Sequence, residues 1–187
     1  MPITAVDSRA ALVVIDLQQG VRDYPLLVPF ADIVSRASAL ATAFRARGLP
    51  VVLVNADARA PGRTDQPRGA LERPPGWTDI VREFDARDGD LRLTKHVPGA
   101  FGDSPLAARL RERGVTQVLV AGVSTSNGVE ATARGAFDLG FNVAIAIDAV
   151  TDGDAAMHEH SLARVFPRIA ETGTTADVLA LLAQRGS

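Results

Sequence analysis

Short unbroken apolar runs alternate along the chain with stretches whose apolar positions recur every three to four residues. Ala10–Asp16 (AALVVID) is a β-rich run that ends in a carboxylate. Phe30–Arg47 carries Ile33, Ala37, Leu40, Ala41 and Phe44 at helical spacing, and Gly48 stops it. Leu49–Asn55 is a second buried strand, and Leu91–Lys95 a weaker, alternating third. Asp103–Arg113 reads as a helix with Leu106 and Leu110 on one face and Gly114 as terminator. The pattern continues with a strand over Val115–Val123, a helix over Asn127–Leu139 closed by Gly140, and a strand over Phe141–Asp148. Asp154–Phe166 is helical, Arg168–Glu171 is a short sixth strand, and Thr175–Gln184 is the last helix.

Strands without polar alternation are buried on both faces, which in a strand–helix alternation means a parallel sheet between two helical layers. The prediction is a Rossmann-like three-layer α/β/α fold with a six-stranded, mostly parallel sheet. No repeat or linker divides residues 1–187, so one domain is expected. Asp57–Pro75, rich in Pro, Gly and Arg, predicts a lid-like loop after the second strand. Ligands of such sheets sit beyond the carboxyl ends of the strands. Those ends bring forward Asp16, Asn55–Asp57, Lys95, Gly122–Gly128 and Asp148. The turn after the fourth strand runs straight into a helix, whose first N–H groups can hold an anion.

Composition narrows the chemistry. With no cysteine in 187 residues, disulfides, zinc thiolates, CxxC redox chemistry and cysteine nucleophiles are all excluded. The net charge is −2 and arginines are scattered along the chain, so no basic face for nucleic acid is expected. No apolar run approaches the roughly 20 residues of a membrane span, and Met1–Arg9 lacks a signal-peptide pattern, so the expected location is cytoplasmic.

Each candidate has a plainer reading. Asp16 could cap a turn, yet a carboxylate closing an apolar run is costly unless paired. Lys95 could be a solvated edge lysine, and Gly128 a packing position. Ser124, Thr125 and Ser126 suit helix capping. Ser126 has no histidine nearby in sequence to act as its base. His158 and His160, two apart, lie on different helix faces and suit a solvated or interface helix better than a metal. His96 faces away from Lys95 by strand alternation. Asp148 caps the turn after its strand. Phe101 and Trp77 line a pocket or fill the core, and Glu130 with Arg134 is a helix ion pair.

AALVVIDLQQG with Asp16, TKHVPGAFGDSPL with Lys95, and VLVAGVSTSNGVEATARGAFDLGFNVAIAIDAVTD, in this order, resemble the isochorismatase-like (cysteine) hydrolase superfamily. The resemblance implies the Rossmann-like fold, an Asp–Lys–Cys triad at one pocket, a cis peptide at Val123–Ser124, and assembly as a homodimer or larger homo-oligomer. Where most relatives have GVxTxxCVExTAR, this chain has Gly128 in place of the nucleophile. Covalent amidase chemistry by that thiol is therefore excluded.

A glycine there resembles the isochorismatases proper, which split a vinyl ether with an acid and an anion clamp. That likeness makes Asp16 the acid and Lys95 its partner, with Gly128 leaving room for the substrate. Pro61-Gly62 and Arg68-Gly69 follow the isochorismatase loop pattern. Ser124 replaces its aromatic residue, which favours another small anion over isochorismate. Arg59, Arg63 and Arg68 are candidates for its carboxylate, and Phe101, Ser124, Thr125 and Asn127 for other substrate contacts. Zinc-binding relatives have Asp-x-His on this loop; here it reads Asp57-Ala58-Arg59, so neither a metal nor another cofactor is expected. Three functions follow: a hydrolase without a covalent nucleophile, a silent binding protein on the same fold, and an amidase with a non-cysteine nucleophile such as Ser126.

Overall fold

A computed structural model describes residues 3–57, 62–65 and 73–184. The candidates Arg59 and Arg68, and most of the predicted loop, lie outside the described residues. Six strands form one sheet: β1 (Ala10–Ile15), β2 (Val51–Ala56), β3 (Leu91–Lys95), β4 (Gln117–Val123), β5 (Asn142–Thr151) and β6 (Glu171–Gly173). Every neighbouring pair is parallel, in the order β3-β2-β1-β4-β5-β6. Five α-helices accompany it: α1 (Phe30–Arg45), α2 (Leu106–Glu112), α3 (Glu130–Asp138), α4 (Ala155–His160) and α5 (Thr175–Gln184).

The side-chain alternation of the strands divides the core in two. Leu12 and Val14 of β1 join Leu119 and Ala121 of β4 beneath α1 and α5, with Ile33, Leu40, Phe44, Val178 and Leu182 packed on them. Val13 and Ile15 join Val118 and Val120 on the other face, against Leu106 and Leu110 of α2 and Ala133 and Ala136 of α3. The three-layer expectation is thus met with both sheet faces covered.

The structure departs from the sequence reading where polar residues disguise continuity. β5 does not stop at Asp148 but runs on to Thr151. Asp148 therefore caps no adjacent turn; its Oδ1 accepts from the backbone N–H of Thr175, at 2.6 Å, and from the Thr175 hydroxyl, fixing the start of α5. The helix expected over Asp154–Phe166 is α only to His160, then passes through a π turn (Ser161–Val165) into a short 3-10 turn (Phe166–Arg168). The sixth strand accordingly begins at Glu171, after the predicted Arg168. A second π turn, Thr125–Val129, precedes α3 where a regular helix start was expected.

Candidate active site

β1 and β3 lie two strands apart, with β2 between them, and their last residues deliver one charge each to the same end of the sheet. Lys95 closes β3, is 3% exposed, and donates from Nζ to Asp16 Oδ2 at 2.8 Å. Asp16 follows β1 directly and is 9% exposed. Its backbone has φ +54°, a left-handed conformation that Asp tolerates better than most side chains. Asp16 N–H donates to Val54 O at 2.8 Å, so the strand ladder holds this backbone in place.

The two Asp16 oxygens differ. Oδ2 is paired with Lys95, whereas Oδ1 is buried and has no hydrogen-bond partner among the described residues. Burial pushes the carboxyl up to about 6, outweighing the opposing pull of the Lys95 charge and hydrogen bond. The result is a carboxyl that holds its proton more tightly than an exposed aspartate, with the Lys95 side chain 2.8 Å from one of its oxygens.

Gly128 borders this pair. A Cβ built on it would stand 3.3 Å from Asp16 Oδ2, 3.3 Å from Val123 O and 2.9 Å from Ile15 Cγ2. The last contact is tighter than side chains tolerate, so the position is fitted to glycine by Ile15 and not merely vacant. Gly122 supplies the approach: its φ is +122°, and a Cβ there would fall 2.0 Å from Ile15 O. Only glycine lets β4 pass so close to β1 before the chain turns toward Asp16. The Val123–Ser124 peptide is cis, as the resemblance implies.

The turn itself is secured from outside. Asp152 Oδ2 accepts from both the backbone N–H and the hydroxyl of Ser126, each at 2.8 Å, and its Oδ1 accepts from the N–H groups of Gly153 and Asp154. Thr125 is fully buried, and its hydroxyl lies 2.8 Å from Nδ1 of half-buried His158. The Ser126 hydroxyl, a conceivable nucleophile in the sequence, thus donates to a carboxylate. Asn127 N–H, at 3.2 Å, and Val129 N–H, at 3.1 Å, both donate to Ser124 O, which with Ser126 N–H makes three of the turn's N–H groups satisfied within the protein.

Asp16, Lys95 and Gly128 therefore meet, with Ser124 and Thr125 in the adjoining turn. Asn127 is exposed, and so is Arg63. Phe101 stacks at 5.9 Å on Phe141 and packs against the α2–α3 side of the core, which gives it a packing role. Trp77 covers the backbone of Gly20, where an added Cβ would fall 2.1 Å from the indole. His96 lies beside Asp103 on the surface. His158 is half-buried and not fully solvated, because α4 packs back onto the Thr125 turn.

Two residues escaped the sequence reading. Asp152 was hidden by the belief that β5 ended at Asp148. Gln18 is fully buried; its amide donates to Ala56 O and Trp77 O and accepts from Ala56 N–H, tying the end of β2 to the segment around Trp77. The repeated glutamine in DLQQG was the available signal. Among the described residues, no cluster of three or more His, Asp or Glu side chains could hold a metal ion. None of the described helices is long and apolar enough to cross a membrane.

Comparison with known proteins gives the family. The Isochorismatase domain model matches residues 10–177. The isochorismatase family protein YecD of Escherichia coli is 38% identical over 182 residues, covering 90% of this chain and 94% of its own. Maleamate amidohydrolase of Pseudomonas putida is 31% identical over 91 residues, 49% of this chain and 43% of its own. An isochorismatase family structure from Burkholderia thailandensis superposes with a TM-score of 0.92 at 34% identity, covering 96% of this chain and 98% of that one. The chain belongs to the isochorismatase family of hydrolases.

Proposed function

We propose that this hydrolase splits a vinyl ether in a small, anionic molecule, with Asp16 as general acid and no covalent intermediate. One observation carries the reading: a buried carboxyl with one oxygen unpartnered among the described residues and its proton affinity raised to about 6. It stands beside a glycine in a chain without a thiol. A group that gives up a proton near operating pH suits acid catalysis.

In the proposed reaction the Asp16 proton passes to the terminal vinyl carbon, the π electrons forming the new C–H bond. The ether oxygen shares its lone pair, giving an oxocarbenium ion. Water adds to that cation and returns a proton to Asp16, and the hemiketal then collapses to a ketone and an alcohol. Lys95, 2.8 Å from Oδ2, stabilises the carboxylate as it forms. The ammonium thus works in the transition state even though it opposes the raised proton affinity of the resting acid. Arg59, Arg63 and Arg68 remain the candidates for the substrate's carboxylate.

The test is a panel of small vinyl-ether carboxylates with matched amides and esters, assayed from pH 5 to 9. Because the protonated form is the active one, kcat/KM on a vinyl ether is expected to fall tenfold per pH unit above about 6. A rate that rises with pH through the same range would make Asp16 a base and sink the assignment. Binding of panel members with no turnover of any would instead favour a silent binding protein. Turnover of an amide that is lost in Ser126→Ala would favour the serine amidase.

A further inference from the structure

The opposite end of the sheet holds a second feature that the hydrolase chemistry does not use. Arg9 leads into β1, Arg45 ends α1 and Arg47 follows it, Arg87 and Asp90 lead into β3, and Arg113 follows α2; all six line one groove of about 650 Å³. Dispersed along the chain, these arginines gave no hint of a basic face. The parallel topology gathers them, because each segment leads toward the same end of the sheet, where its strands begin. Five arginines and a single carboxylate residue, Asp90, thus line the groove in a protein of net charge −2.

Not all of that charge is compensated. Asp90 takes Arg45 in a two-point contact, at 2.9 and 2.6 Å, and Arg87 pairs with Asp85. Arg9, Arg47 and Arg113 form no ion pair with a described residue. Arg47 donates to Leu182 O at 2.8 Å and to Ala43 O, and Arg113 to Arg109 O at 3.1 Å; each guanidinium has five donors. Arg9 lies over Gly114, the residue after Arg113, where an added Cβ would come within 2.9 Å of its Nη1.

Cations in the last turn of a helix answer the negative end of the helix dipole, which accounts for Arg45, Arg47 and Arg113. It does not account for Arg9 and Arg87, which sit ahead of strands. Gathering like charges in one concavity is unfavourable unless an anion joins them, and the groove has the size of a small-molecule site. Guanidinium forks match phosphate oxygens in geometry.

We propose that this groove binds a compact oligophosphate, either inorganic or the phosphate chain of a nucleotide. The site is separate from Asp16 and independent of the reaction assigned to it.

Titration calorimetry of the intact protein with tripolyphosphate, ATP and a single-stranded oligonucleotide tests this. Saturable 1:1 binding of tripolyphosphate is expected, weakening at least tenfold in Arg9→Ser/Arg113→Ser and steeply with added salt. Arg164→Ser, an exposed arginine outside the groove, removes the same charge and is expected to change affinity by less than twofold. The charge-keeping pair Arg9→Lys/Arg113→Lys is expected to fall between, since it loses the forks alone. ATP binding as well as tripolyphosphate means the phosphates suffice, and tighter ATP binding means the groove also contacts the nucleoside. No saturable binding, equal affinity in wild type and the Arg9→Ser/Arg113→Ser protein, or binding of the oligonucleotide alone would each overturn the proposal.

Discussion

Asp16 and Asp90 sit at opposite ends of the same sheet, are each 9% exposed, and each face a cation. Their surroundings nevertheless make them different groups. Both oxygens of Asp90 are occupied, by the Arg45 fork and by the Arg87 N–H. Asp16 has one oxygen on Lys95 and the other buried with no described partner. Burial alone therefore does not separate the two carboxylates. What separates them is how many of their lone pairs the fold leaves unanswered.

The widest separation between the two is expected from removing each charge. Asp16→Asn should lower turnover of any identified substrate by about 10³-fold, the scale of a lost general acid. Asp90→Asn should leave turnover per folded molecule within twofold. Retained turnover in Asp16→Asn would erase the distinction. Lys95→Met comes next: loss of the partner charge should cost about 10²-fold in kcat and move the alkaline limb above pH 6, because Lys95 lowers the Asp16 proton affinity. A limb that stayed in place would mean that Lys95 does not act on Asp16.

Stability offers the third contrast. Asp90→Asn, breaking a two-point pair, should cost about 2–3 kcal/mol in urea unfolding. Asp16 should instead impose a pH slope. Its folded proton affinity is raised to about 6 from an ordinary 3.8, so protonation favours the folded state. That contribution is full below about pH 4 and is lost by pH 6. The slope should vanish in Asp16→Asn and persist in Asp90→Asn. The smallest effect concerns Gly128. Gly128→Cys should clash with Ile15 and yield no amidase, while combining it with Ile15→Ala should recover about 1 kcal/mol relative to the summed single losses.

The chain announced its strands and its acid plainly. β1, β2 and β4 are apolar runs because both their faces are covered, and a lone carboxylate at the end of such a run stands out. Lys95 was legible because β3 ends on it in phase with the sheet's carboxyl end. Asp152 was not, since Asp148 inside β5 looked like a strand end; a polar side chain in mid-strand is tolerated because Thr175 donates to its Oδ1 and the Arg36 guanidinium lies 3.9 Å from its Oδ2. The Thr125–His158 contact spans 33 residues and depends on how α4 folds back, which no spacing rule encodes. The glycine at 128 was visible, but the Ile15 methyl that enforces it was not.

The positive φ of Asp16 bears on what this position can become. A left-handed backbone held by a strand ladder on one side admits glycine, asparagine and aspartate readily, and charges other side chains about 1 kcal/mol or more. Of the three, one can donate a proton as an acid. The neighbouring backbone thus limits the substitutions open to this site before chemistry does. Asparagine or glycine is thus the exchange this backbone admits most readily, and either leaves the buried Lys95 ammonium without its carboxylate, a cost set by the partner and not by the backbone.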